Sequence, residues 1–147
     1  MENLDLSHNI EFMLALKFMV SILFIFFAIL FLQAGLDKAF DWESNYAWMR
    51  GHISRSPFAG KVIWLLSILM SMELTSGTGS VVCAVYVWFG GIAGNYLLFF
   101  FMCWNVFTLL ALFFGQRIAK DYTGASGIVP YFITAFLGLI FLLITVI

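Results

Sequence analysis

One acidic residue, Glu73, lies in the middle of a long apolar stretch that runs from about Val62 to Val87. An ionisable side chain at such a depth in a membrane costs about 2.5–3.5 kcal/mol on insertion scales, which makes it a candidate for a functional site. A carboxyl group in a medium of low dielectric can be held neutral and can then donate or accept a proton. The alternative is a structural role, in which Glu73 hydrogen-bonds between helices.

Asn105 is placed at a similar depth in the next apolar stretch. We expect Glu73 and Asn105 to face the same interior, because buried polar groups need partners. Ser76 and Ser80 follow Glu73 by three and seven residues, and Thr108 follows Asn105 by three, so each set shares one helix face. These hydroxyl groups are predicted to line the same space. Close packing of helices through small residues would equally explain the serines.

A second polar cluster is predicted at one end of the apolar stretches. It consists of Gln33, Asp37, Lys38, Arg50, His52, Arg55, Arg117, Lys120 and Asp121. Such a group could form a basic mouth that binds an anionic head group or substrate. The alternative is that these long side chains extend to the membrane surface and anchor the helix ends.

The sequence contains no self-contained cofactor site. His8 and His52 fall in segments predicted on opposite sides of the membrane, so they cannot ligate one haem together. Zinc-ligand spacing, an HExxH motif and a glycine-rich nucleotide loop after a strand are all missing from the sequence. We therefore predict no metal site and no built-in cofactor. Cys83 and Cys103 are interpreted as small buried hydrophobic residues, the alternative being a redox disulfide.

The composition identifies the solvent of this chain as lipid. Of its 147 residues, 63% are hydrophobic and only 10% are charged, whereas about 25% are charged in soluble domains. The formal net charge of −1 argues against a nucleic-acid-binding protein, which would need a dense basic patch.

Four apolar stretches approach or exceed the roughly 20 residues that cross a membrane. They run from about residues 14 to 34, 62 to 87, 96 to 114 and 128 to 147. The first is longer than the apolar region of a signal peptide, so we expect it to remain as a helix. The sequence therefore predicts an all-α protein with a single domain, a four-helix transmembrane bundle.

The loop between the first two spans has helical periodicity. Its apolar residues recur at intervals of three and four, namely Trp42, Tyr46, Met49 and Ile53. Such a segment is typical of a helix that lies in the head-group plane. We predict a short interfacial helix over residues 42–54, which ends before Ser56-Pro57 because the residue before proline avoids the helical region.

Basic residues predict the orientation of the bundle. The two long connections contain six of the seven lysine and arginine residues, and the opposite side has only Lys17. This distribution places both long connections in the cytoplasm and both termini outside, and it is typical of a bacterial inner-membrane protein.

Two short motifs resemble a known family. The first helix ends in Phe31-Leu32-Gln33-Ala34-Gly35-Leu36-Asp37-Lys38, which is similar to the F-x-x-A-G-x-x-K ending of DoxX-like (DoxX/DoxD) membrane proteins. Glu73 followed by Gly77 resembles their E-x-x-x-G signature. The likeness covers about residues 14–146, and the segment from Thr78 to Cys83 departs from the family's small-and-leucine run.

The resemblance implies a four-helix membrane protein connected with quinone-linked sulfur oxidation or with redox and oxidative-stress assemblies. It would make Glu73 the matching intramembrane acid, and Gly35 and Lys38 the matching helix-end residues. We predict an accessory subunit of a membrane redox or transport assembly, not catalytic on its own, that contacts lipid and either other integral membrane proteins or further copies of itself. The alternatives are a quinone-interacting oxidoreductase subunit that uses Glu73 and Asn105, and a protein that handles lipids or hydrophobic ligands.

Overall fold

A computed structural model describes the backbone of residues 2–92 and 95–146 and the side chains of residues 9–92 and 95–145. The described chain forms five α-helices and no strand. Four of the helices are long and apolar enough to cross a membrane. The helices are α1 (Glu2–Phe40), α2 (Trp42–His52), α3 (Val62–Gly90), α4 (Tyr96–Ile118) and α5 (Tyr122–Val146), with one 3-10 turn at Ala59–Lys61. The prediction of an all-α four-helix bundle with a short helix after the first span is confirmed.

The helix ends differ from the predicted bounds for local reasons. Helix α1 continues to Phe40 because no proline interrupts it. Helix α5 begins six residues before the predicted span, since the carboxylate of Asp121 accepts a hydrogen bond from the Gly124 N–H and caps its first turn. Helix α2 ends at His52, two residues early. Some residues of the predictions lie outside the described side chains, namely His8, residues 93 and 94 of the predicted turn, and residues 146 and 147 of the predicted fourth span.

Consecutive spans pack antiparallel in the order α1, α3, α4, α5. Helices α1 and α3 approach each other closely at two glycines that face leucines of the other helix. A Cβ atom added at Gly77 would lie 2.8 Å from the backbone nitrogen of Leu32, and one added at Gly35 would lie 3.1 Å from that of Leu74. Helices approach this closely only where a side chain is missing.

The core between the four spans combines aromatic side chains of α1 with aliphatic and small side chains of the other spans. The fully buried side chains of α1 include Phe24, Phe27 and Phe31. They pack in one cluster with buried residues of the other three spans, namely Cys83, Val87, Leu98, Met102, Leu109, Ala135 and Leu142. Helix α2 packs outside this cluster, where Met49 and Ile53 are buried against Val62 and Leu66 of α3. The predicted apolar face of the interfacial helix is thus the face that packs against the bundle.

The ends of α1 and α4 and the beginnings of α3 and α5 lie together with α2, and we call this the α2 end of the bundle. The α4–α5 connection is tight, since Lys120 adopts a left-handed conformation with φ of 62°. The N–H of Lys120 donates to the carbonyl of Arg117, and that of Asp121 donates to the carbonyl of Gln116. This is a Schellman ending, which satisfies the last carbonyl groups of α4.

Candidate functional site

A cavity of about 220 Å³ lies between α2 and the ends of the bundle helices, and we call it the α2 cavity. Its apolar wall comes from α2, α3 and α4 and includes Trp48, Met49, Leu65, Leu66, Leu69 and Leu112. Four polar side chains also line it, namely Lys38, Asn45, His52 and Gln116. An apolar wall with a few converging polar groups is the usual design of a small-molecule site.

The buried carboxylate of Glu73 is paired with Lys38. The ammonium nitrogen Nζ of Lys38 donates to Oε1 at 3.0 Å and lies 2.9 Å from Oε2 as an ion pair. Nζ also donates to the carbonyl of Ala34 at 3.1 Å. The side chain of Glu73 is 2% exposed and that of Lys38 is 16% exposed. Lys38 therefore joins the bundle interior to the α2 cavity.

Asn105 is not the hydrogen-bond partner of Glu73 that the sequence suggested. The amide of Asn105 donates to Ser80 Oγ at 3.0 Å. The antiparallel register of α1 and α3 explains the difference, because the Gly35–Leu74 and Gly77–Leu32 contacts bring the end of α1 beside Glu73. A long lysine side chain can then extend back along α1 to the carboxylate.

The other predicted interior residues do form one polar strip between α3 and α4. Thr108 Oγ1 donates to the carbonyl of Trp104 at 3.0 Å, so Ser76 Oγ must supply the proton of the 2.8 Å bond to Thr108. Ser76, Ser80, Asn105 and Thr108 are all fully buried. The strip holds α3 to α4 by side-chain hydrogen bonds inside the bundle.

The C-terminal end of α2 is tied to the α4–α5 connection. His52 Nε2 lies 3.0 Å from Gln116 Oε1 and 3.5 Å from Asp121 Oδ2. The ring of His52 also stacks on Trp48, with centroids 4.5 Å apart and planes 18° apart. These contacts hold a flat aromatic pair at the α2 cavity.

The predicted basic mouth does not form as a single cluster. Of its members, Lys38 and His52 line the α2 cavity, and Asp121 contacts His52. The guanidinium of Arg117 instead lies 4.7 Å from the centre of the Tyr122 ring. The remaining members are exposed, because each extends from the bundle into the surrounding medium; they are Gln33, Asp37, Arg50, Arg55 and Lys120.

Asn45, Gln116 and Trp48 line the cavity but were not predicted as site residues. Gln116 could have been noticed as a polar residue in the last turn of an apolar helix. Asn45 and Trp48 gave no such signal, since they lie off the apolar face of α2. Among the predicted site residues, Glu73 and Asn105 do not reach the cavity wall in the part of the chain that the structure describes.

The two cysteines are free thiols. Cys83 belongs to the buried core, and Cys103 is half-buried.

No family model, no curated protein and no solved structure matches this chain. Its class therefore follows from the fold and the site alone. It is a small multi-pass membrane protein, in contact with the lipid bilayer, whose four spans carry a buried ion pair and a partly polar cavity at one end.

Proposed function

We propose that this protein binds the ring-sized head group of a membrane amphiphile in the α2 cavity. The observation that carries the proposal is the cavity itself, with apolar walls and four polar side chains in about 220 Å³. An engineered protein cavity of about 150 Å³ binds benzene. The α2 cavity has room for a substituted six-membered ring, while an acyl or isoprenoid tail would have to remain in the bilayer.

The quinone class, in either redox state, is the candidate ligand. Its ring is flat, and the stacked rings of Trp48 and His52 offer a flat apolar surface. Its oxygen atoms can hydrogen-bond to polar groups such as Gln116 and His52. The resemblance of residues 31–38 and of Glu73 and Gly77 to DoxX-like proteins also supports a quinone-linked role.

A soluble quinone tests the proposal through tryptophan fluorescence. Titrating menadione into the protein in polymer discs should quench part of the emission in a saturable way, because the ring would bind beside Trp48. Trp48→Phe should remove the saturable part, whereas Trp88→Phe should keep it, since Trp88 lies near the end of α3, away from the α2 cavity. Quenching that rises only linearly, or that is the same in Trp48→Phe, would contradict the proposal.

A second candidate function is the accessory subunit of a larger membrane assembly, favoured by the surface of α3. Three hydroxyl side chains, Ser71, Thr75 and Thr78, are exposed along one side of this helix. Ser71 and Thr75 line a groove of about 320 Å³ that also includes Trp64 and Trp104. Hydroxyl and small side chains on a lipid-facing surface are typical of contacts between transmembrane helices.

Extraction from the native membrane tests the subunit role. If a partner helix occupies the groove, Thr75→Phe should reduce the co-purified partner about tenfold by steric overlap. Val85→Phe is the matched control, because Val85 is exposed elsewhere on α3 and is 55% accessible. A wild-type protein that runs alone under mild extraction would remove this second candidate.

A further inference from the structure

We infer that a groove between α1 and α3 binds an anionic phospholipid, with one acyl chain in the groove and the phosphate group beside Lys17. The groove is lined by side chains from residues 21–32 of α1 and 81–89 of α3, and we call it the α1–α3 groove. Its volume is about 640 Å³, and its lining is almost wholly apolar. It shares no residue with the α2 cavity, so the inference does not depend on the proposed function.

Small residues of both helices form the floor of the α1–α3 groove. Ser21, Ala28 and Ala84 are buried there, and the hydroxyl of Ser21 donates to the carbonyl of Ala84 at 3.1 Å. Larger side chains that are about half exposed form the rims, namely Ile25, Ile29, Val81 and Val85. Because the one hydroxyl of the floor already donates within the protein, the groove offers an apolar surface that suits a hydrocarbon chain.

The length of the groove matches one leaflet of a membrane. Along α1 it runs from Ser21 to Leu32, which is about 16 Å at a rise of about 1.5 Å per residue. One leaflet contributes about half of a hydrocarbon region of about 30 Å. The groove ends near the middle of α3, because Gly77 packs against Leu32 there and the two helices close together. An acyl chain that enters from the α3–α4 turn side would reach the end of the groove at the middle of the membrane.

The shape of the groove favours a lipid chain over a neighbouring helix. A transmembrane helix of a partner crosses the full thickness of about 30 Å, whereas the groove ends halfway. Close contacts between transmembrane helices also need small residues at the surface of both. The rims of this groove carry branched and aromatic side chains instead. A flexible acyl chain can pass between such rims, while a second helix backbone is kept away from the floor.

A cation lies at the outer end of the groove. Lys17 precedes Ser21 by four residues, so the two side chains leave α1 on the same face, one turn apart. Nζ of Lys17 donates to the carbonyl of Trp88, a residue of the groove, at 3.3 Å. Among the side chains that the structure describes, no carboxylate forms an ion pair with Lys17. Its positive charge therefore complements the phosphate of a lipid whose chain occupies the groove.

Brominated lipids test the inference, because bromine quenches tryptophan on contact and Trp88 lines the groove. The full-length protein is reconstituted into lipid discs of phosphatidylcholine with a minor fraction of phosphatidylglycerol. In one preparation the phosphatidylglycerol carries bromine in its acyl chains, and in the other an equal amount of the phosphatidylcholine does. The difference from Trp88→Phe gives the quenching that depends on Trp88. We expect a relative affinity about fivefold in favour of phosphatidylglycerol, the effect of one lysine at a membrane surface.

Two pairs of variants test the head-group contact and the chain contact separately. Lys17→Met should reduce the relative affinity towards one, whereas Lys61→Met should keep it, because Lys61 lies at the α2 end, beside the other leaflet. Val81→Phe should also reduce it, since the larger ring would fill the groove. Val82→Phe is the matched control, because Val82 is 53% exposed on α3 but does not line the groove.

Three results would overturn the inference. The first is a relative affinity near one in the wild type, and the second is a preference that persists in Lys17→Met. The third is a preference that persists in Val81→Phe, which would show that the head group is attracted with no chain in the groove. Discs that hold two copies of the chain, without any lipid preference, would assign the groove to a second copy instead.

Discussion

Lys38→Met should lower the free energy of unfolding by about 3–5 kcal/mol, because it leaves the carboxylate of Glu73 buried without its cation. Glu73 is 1% exposed, so water cannot replace the lost partner without opening the bundle. The free energy of unfolding can be measured by steric trapping or by titration with a denaturing detergent in mixed micelles.

The double variant Lys38→Met/Glu73→Leu distinguishes the loss of the ion pair from the cost of leaving one charged group buried alone. Two apolar side chains of similar length need no desolvation, so the double variant should recover most of the loss. Lys17→Met is the matched control, because Nζ of Lys17 makes only an exposed 3.3 Å hydrogen bond to the Trp88 carbonyl. The control should cost about 1 kcal/mol or less. A Lys38→Met variant as stable as the control would show that the ion pair does not hold α1 to α3.

Gly77→Ala should destabilise the bundle by about 1–3 kcal/mol, although alanine is ordinarily the better helix former. The new Cβ atom would lie 2.8 Å from the backbone nitrogen of Leu32, as well as against the Leu32 side chain. A side chain can rotate away from such a contact, but a backbone atom in a helix cannot. Helices α1 and α3 would therefore have to separate along their length, and the same detergent titration measures the cost.

Gly127→Ala is the control for this prediction. Gly127 lies inside α5, and a Cβ atom added there meets no other atom within 4 Å. The substitution should stabilise the protein by about 0.5–1 kcal/mol, through helix propensity alone. Changes of opposite sign in the free energy of unfolding at Gly77 and Gly127 would show that contact geometry, and not flexibility, decides the role of Gly77. Destabilisation of equal size at both positions would contradict that explanation.

The ion pair and the α2 cavity belong to one structural unit. Lys38 contacts Glu73 with its ammonium group and also lines the cavity. The pair fixes the end of α1, which leads directly into α2 through Asp41. Loss of the pair should therefore affect the position of α2 as well as the stability of the spans.

The hydrophobicity and the periodicity of the sequence were sufficient to predict the fold. Four uncharged or nearly uncharged stretches of about 20 residues can be satisfied in lipid only as helices, because every backbone polar group must be bonded within the segment. The spacing of Trp42, Tyr46, Met49 and Ile53 was likewise enough to predict a short helix after the first span. The burial of Glu73, Asn105, Ser76 and Thr108 followed from the same argument, since polar residues in the middle of a span face its interior.

The pairing of those residues was decided by the tertiary structure alone. Depth along the membrane placed Asn105 level with Glu73, but it contains no information about the rotation and register of neighbouring helices. The close contact of Gly35 and Gly77 with leucines of the opposite helix sets the register of α1 and α3 and brings Lys38 to Glu73. The bond from Asn105 to Ser80 depends instead on the register of α3 and α4, where Gly79 contacts Phe101. The α2 cavity depends on four helices meeting at one end, so Asn45, Trp48 and Gln116 become its wall only after α2 has folded over the bundle. A local pattern determines which face of a helix is buried, whereas a contact between helices depends on packing that no single segment specifies.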